Sequence, residues 1–224
     1  MSINAFAALG VPASLADLLA KAGIDTPTPI QAATLPDSLA GRDLLGRGRT
    51  GSGKTYAFLL PILARLAPNG VAPRNARTPR APRALIVVPT RELAVQIEAA
   101  LTPLARLAGL NSLTIFGGVG QSPQVRALRA GVDIVIACPG RLEDLIGQGE
   151  CRLDRVEVTV LDAADHMSDL GLLPEVRRLL ELTPANGQRL LFSAHLDGAL
   201  TVIVQPSLRN PAPNEADSPQ AAHP

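Results

Sequence analysis

The chain has 224 residues, 46% of them hydrophobic, and a formal net charge of +1. That length suits one domain with a sizeable core, and the charge balance provides no overall basic field for nucleic acid. Two cysteines outside any CxxC spacing, Cys138 and Cys151, argue against a disulfide framework or structural zinc site, and 2% aromatic residues argue against a base-stacking platform. No apolar run is long enough to span a membrane and no signal-like start is present, so the expectation is a cytoplasmic protein with no membrane partner.

The first features along the chain are Phe6 and segment 23–31, which ends in Thr28-Pro29-Ile30-Gln31. A Gln amide is both donor and acceptor, so Gln31 suits N6 and N7 of adenine; a proline-led helix start is the plainer alternative. Asp43-Leu44-Leu45 predicts a short strand and Tyr56 to Leu66 a helix. Between them Gly48-Arg49-Thr50-Gly51-Ser52-Gly53-Lys54-Thr55 satisfies G-x-x-x-x-G-K-[ST]. Its glycines let backbone N–H groups converge on phosphate, Lys54 reaches the β- and γ-phosphates, and Thr55 has a hydroxyl for Mg²⁺. The alternative is a Gly-rich turn that merely opens a helix.

Residues 68–83 hold four prolines and four arginines, with the arginines at 74, 77, 80 and 83. A flexible basic loop is expected, and polyproline II with its three-residue repeat would line the guanidinium groups along one ridge. Strand-like runs follow at 84–88, 113–116, 133–137, 158–162 and 189–193, separated by helical patterns over 91–107, 121–130 and 174–182. Such alternation predicts βαβ units and a mostly parallel sheet covered on both faces. Residues 211–224 have no apolar periodicity and read as a disordered tail.

Taken together, these segments resemble the first RecA-like, ATP-binding domain of the DEAD-box RNA helicases. Phe6 with 23–31 is similar to the Q motif, 48–55 to motif I, Pro89-Thr90-Arg91-Glu92-Leu93-Ala94 to motif Ia, and Gly117-Gly118 to the paired glycines. Cys138-Pro139-Gly140-Arg141 resembles TPGR, Asp162-Ala163-Ala164-Asp165 stands at the D-E-A-D position and Ser193-Ala194-His195 at S-A-T. The resemblance covers residues 1–210 and implies a three-layer α/β/α fold with ATP and Mg²⁺ as cofactors. It implies nucleotide contacts from Phe6, Gln31, Thr50, Gly51, Ser52, Gly53, Lys54 and Thr55, with the metal at Thr55 and Asp162. Asp162, Asp165 and Ser193 take the catalytic positions. RNA backbone falls to Thr90, Arg91, Gly118, Gly140 and Arg141, although helix-start salt bridging is a competing role for the two arginines.

The departures are as informative. The family's water-polarising Glu is Ala163 here, which has no acceptor, so nucleotide binding without effective hydrolysis is expected. His195 replaces a Thr, and His166 and Ser168 stand where Arg and Leu are usual. Motifs of a second lobe are absent from these residues, so the expectation is either a lobe or protein partner acting in trans, or a relic or fragment that binds without unwinding. A binding-only regulatory module and an unrelated P-loop kinase are the alternative functions.

Overall fold

The computed structural model describes residues 4–48, 53–73 and 75–215. Four-residue apolar strands alternate with helices in chain order. The strands are β1 (Leu44–Arg47), β2 (Ala84–Val87), β3 (Ser112–Ile115), β4 (Ile134–Ala137), β5 (Val158–Leu161), the longer β6 (Gln188–Ser193) and β7 (Ala212–Glu215). They form one sheet in the order β3-β4-β2-β5-β6-β1-β7, every pairing parallel. The helices are α1 (Ala5–Ala8), α2 (Ala13–Lys21), α3 (Pro29–Leu39), α4 (Lys54–Leu66), α5 (Arg91–Ala108), α6 (Ser122–Ala130), α7 (Pro139–Gly147), α8 (Ala164–Asp169), α9 (Leu173–Leu182) and α10 (Gly198–Ile203).

Parallel strands must be covered on both faces, and alternate side chains divide accordingly. Ala84, Ile86, Ile134, Ile136, Val158, Val160, Leu190 and Phe192 pack with α1–α5. Leu85, Val87, Val135, Ala137, Leu161 and Leu191 pack with α6–α10 on the other face. The result is the α/β/α sandwich. In β1, Gly46 lies under Phe192, where an added Cβ would come within 2.8 Å of the ring. Glycine at this position therefore leaves room for the Phe192 ring beside the strand that leads into segment 48–55.

Two sequence expectations are corrected. The tail expected from residue 211 instead begins with β7, registered against β1 from Leu44↔Ala212 to Arg47↔Glu215. Asp43, only 4% exposed, anchors it: its carboxylate accepts from the Arg209 N–H (2.7 Å) and the Arg189 N–H (2.9 Å), and its carbonyl from the Ala212 N–H. Residues 216–224 lie outside the described residues.

The 68–83 segment is not a free basic ridge. Arg77 pairs with Asp133 (2.8 Å), Arg80 with Glu150 (3.3 Å) and Arg83 with Glu157 (2.7 Å). Arg80 has φ +61°, incompatible with polyproline II, and Arg152 and Glu157 N–H groups donate to the Arg80 and Arg83 carbonyls. Asp133 and Glu157 directly precede β4 and β5, so the arginines neutralise acids at the N-terminal ends of the strands. Arg74 lies outside the described residues.

Candidate functional site

The motif residues 53–55, 89–94, 117–118, 138–141, 162–165 and 193–195 follow or close the C-terminal ends of β1 to β6, where open α/β sheets bind ligands. A cavity of about 750 Å³ opens there, lined by Gly53, Lys54, Thr55 and Tyr56 from the start of α4, by Thr90, Leu93 and Gln96 from α5, and by Asp162, Ala163, Asp165, His166 and Ala194. Arg49, Thr50, Gly51 and Ser52 lie outside the described residues. Gly53 is the N-cap of α4 at φ +85°, and a Cβ there would meet Thr28 at 2.7 Å and the Gln31 amide at 2.9 Å. Glycine is thus required by both backbone conformation and space.

Gln31 occupies the expected neighbourhood in an unexpected role. Its Oε1 accepts from the Thr28 N–H (3.0 Å), closing a capping box on α3, while its Nε2 donates to the Gly53 carbonyl (2.9 Å). With 2% exposure, the amide ties α3 to the turn before α4. Phe6, a nucleotide contact by resemblance, has its ring fully buried among the core side chains of α1–α5.

At the end of β5, Asp162 is 6% exposed and its Oδ1 has no hydrogen-bond partner among the described residues. Burial raises its pKa, and the nearby Lys54 charge works against that rise. An orphaned buried carboxylate oxygen facing a lysine at a helix N-terminus fits a divalent cation held with a polyphosphate. Beside it Ala163 adopts the left-handed conformation (φ +53°, ψ +48°) and contributes only a methyl group to the cavity wall.

The Asp165–Ser193–His195 link uses the side chains of Asp165 and Ser193 but only the main chain of His195. The Asp165 N–H donates to Ser193 Oγ (3.2 Å), Ser193 Oγ donates to the His195 carbonyl, and the His195 N–H donates to Asp165 Oδ2 (3.3 Å). The Gly48 N–H also donates to the Ser193 carbonyl (3.3 Å). The imidazole of His195 is exposed and takes no part, so replacing Thr leaves this link standing. Ser168 Oγ adds a bond to Asp197 (2.8 Å), whose other oxygen caps α10 through the Leu200 N–H.

The residues expected at RNA gather on the adjoining rim. Arg91 lies over the Phe116 ring at 5.1 Å and within reach of Gly118. Arg141 Nη2 donates to the Val119 carbonyl (2.9 Å) and Nη1 to Gln124 Oε1 (3.2 Å), with Gly140 exposed in the first turn of α7. Neither arginine forms a salt bridge among the described residues. Thr90 stands apart from them, capping α5 through the Leu93 N–H and facing the nucleotide-side cavity. Gln124 and Phe116 were not anticipated as supports. Gln124 is a 6% exposed amide on the inward face of an amphipathic pattern, which was the available signal.

An all-parallel sheet with a Gly-Lys-Thr helix start after β1 and an acidic residue at the end of β5, with β6 lying between the two strands, defines a RecA-like domain of the P-loop class. Comparison with known proteins narrows this. The DEAD/DEAH box helicase family matches residues 28–201, and the chain belongs to that family. It is 46% identical over 198 residues to the ATP-dependent RNA helicase RhlB of Haemophilus influenzae, covering 88% of this chain and 47% of that protein. It is 42% identical over 203 residues to DEAD-box ATP-dependent RNA helicase 5 of Oryza sativa subsp. japonica, covering 91% and 39%. The fold matches a DEAD box protein from the hyperthermophile Methanococcus jannaschii with TM-score 0.82 and 28% identity, over 92% of this chain and 54% of the other. The chain therefore spans less than half the length of these two curated relatives. Among the described residues no helix is long and apolar enough to cross a membrane.

Proposed function

We propose that this chain is the ATP- and RNA-binding first lobe of a DEAD-box RNA helicase in which nucleotide is held but hydrolysed weakly. The observation that carries the reading is the lining of one cavity. Lys54, Thr55 and the unpartnered Asp162 oxygen face the same space, while the position for a water-orienting acid holds Ala163. The names of the relatives support ATP and RNA as ligands, and the cytoplasmic setting expected from the sequence accompanies that reading.

Lys54 would neutralise phosphate charge, assisted by the dipole at the start of α4. Thr55 and Asp162 would hold Mg²⁺, which when bound screens the phosphate oxygens and withdraws charge from the scissile bond. Asp165 cannot readily replace the missing acid, because both its oxygens already accept main-chain N–H groups. Loss of a positioned base costs ~10²–10⁴ in rate. Arg91, Gly118, Gly140 and Arg141 would contact RNA through phosphate, giving affinity without sequence choice. Ala163 equally favours a binding-only role in which occupancy recruits a partner or a second lobe in trans; RNA-stimulated phosphate release separates that role from weak catalysis.

The test is titration of a fluorescent ATP analogue with Mg²⁺ into the wild-type chain and Lys54→Ala. Saturable binding that disappears in the variant supports the reading. A folded wild-type chain that binds nothing overturns it.

A further inference from the structure

The chain has three histidines, and one of them, His166, lines the nucleotide-side cavity. Its main chain is engaged: the N–H donates to Asp165 Oδ1 (3.0 Å) and the carbonyl accepts from the Leu170 N–H (3.0 Å). Its imidazole is exposed and has no hydrogen-bond or ion-pair partner among the described residues. Helix α8 sets where that ring stands. Ala163 is the N-cap of α8 and His166 its third residue. Residues three apart share a helix face, and each Cα–Cβ bond tilts toward the N-terminus. A side chain at this position reaches back over the N-cap, as it does in a capping box. The imidazole therefore leans toward Ala163, where the water-orienting acid is missing.

Elimination leads to the same residue. Taking a proton from water near neutral pH requires a carboxylate or a neutral imidazole. Among the residues lining the cavity these are Asp162, Asp165 and His166. Asp162 is committed to the metal in the reading above, and both Asp165 oxygens already accept N–H groups. Tyr56 and Gln96 also line the space, but a phenol keeps its proton at this pH and an amide cannot take one.

We propose that His166 is the proton acceptor for the weak hydrolysis, a catalytic residue that partly replaces the acid missing at Ala163. This rests on the nucleotide reading above and assigns the base at that same site. A water hydrogen-bonded to the unprotonated ring nitrogen attacks the γ-phosphorus as its proton passes to the imidazole. The bond from that phosphorus to the β–γ bridging oxygen breaks, and ADP leaves with the electron pair. The imidazolium then returns its proton to solvent. An exposed side chain holds a water less rigidly than a packed one, which keeps this route slow.

Two measurements on the full chain test this, one of them without turnover. The imidazole NMR resonance that disappears in His166→Ala should shift in wild type when a non-hydrolysable ATP analogue binds with Mg²⁺. In single-turnover phosphate release, RNA and any required second lobe are supplied. A firmly held base is worth ~10²–10⁴ and a loosely held one less, so His166→Ala should slow the rate about tenfold at unchanged nucleotide affinity. The loss should shrink in the Ala163→Glu background, because two acceptors serving one water are not additive; a merely structural role would give the same loss in both. A chain that binds no analogue overturns the nucleotide reading and this inference with it. Binding with an unmoved His166 resonance overturns the assignment alone. So does an unchanged rate in His166→Ala, an equal loss in both backgrounds, or a loss of affinity in place of rate, which would make His166 a phosphate contact.

Discussion

The two walls of the cavity have changed unequally. On the phosphate side, Gly53, Lys54, Thr55 and Gln31 form a tight assembly in which glycine is demanded by the Thr28 and Gln31 contacts. On the opposite side, Ala163 and His195 replace the acid and hydroxyl of the family pattern, yet Asp165, Ser193 and His195 remain connected. The difference teaches which positions tolerate substitution. His195 joins the link only through its N–H and carbonyl, so a change of its side chain leaves the link standing, whereas a role performed by a side-chain oxygen is lost with that side chain.

The largest expected effect concerns that missing oxygen. Ala163→Glu should raise phosphate release by ~10²–10⁴ when RNA and any required second lobe are supplied, as followed in a coupled assay. An unchanged rate would mean the lesion lies elsewhere, and the contrast between the walls would collapse. Next is Ser193→Ala. Ser193 is fully buried, and its loss strands the Asp165 N–H and the His195 carbonyl, so stability should fall by about 1–3 kcal/mol in urea unfolding. His195→Ala is the control and should stay within about 0.5 kcal/mol, because only its backbone is used.

Asp162 supplies a pH test. Burial raises its folded pKa above the ordinary 3.8, so the folded chain retains this proton at pH values where the unfolded chain has released it. That contribution stabilises the fold at low pH and is lost as pH rises from the unfolded value through the folded one. Asp162→Asn should therefore be more stable than wild type at neutral pH without ligand, by a few degrees in Tm, with the gap closing toward acid. Nucleotide with Mg²⁺ should narrow the gap at neutral pH. A gap that widens toward acid would contradict the assigned burial penalty.

The sheet was legible because fully buried parallel strands read as unbroken apolar runs, and the predicted runs at 84–88, 133–137 and 158–162 contain β2, β4 and β5. What stayed hidden depends on long-range partners. Ala212-Pro213-Asn214-Glu215 has no strand pattern and becomes β7 only where Asp43 holds the preceding chain. The arginines at 77, 80 and 83 were visible as a row, but acids 56 to 74 residues away decide their direction. Within the site, residue types marked Lys54, Asp162 and Ala163 for one cavity. They gave no sign that Phe6 would be buried in the core or that the Gln31 amide would be spent on Thr28 and Gly53.

The smallest effect tests whether the altered wall also carries strain. Ala163 occupies the left-handed region, where a Cβ costs roughly 1–2 kcal/mol, while glycine there gives back part of the gain through the unfolded chain's extra freedom. Ala163→Gly should therefore stabilise the chain by about 0.5–1 kcal/mol, or roughly 1–4 °C in Tm, without restoring turnover. Ala163→Glu keeps a Cβ in the same conformation, so its gain in rate should come with no gain in stability. A Tm that falls in Ala163→Gly would mean the methyl group's packing outweighs its backbone strain. Ala163 would then be a fitted part of the wall, and the conformation itself would no longer distinguish this side of the cavity from the phosphate side.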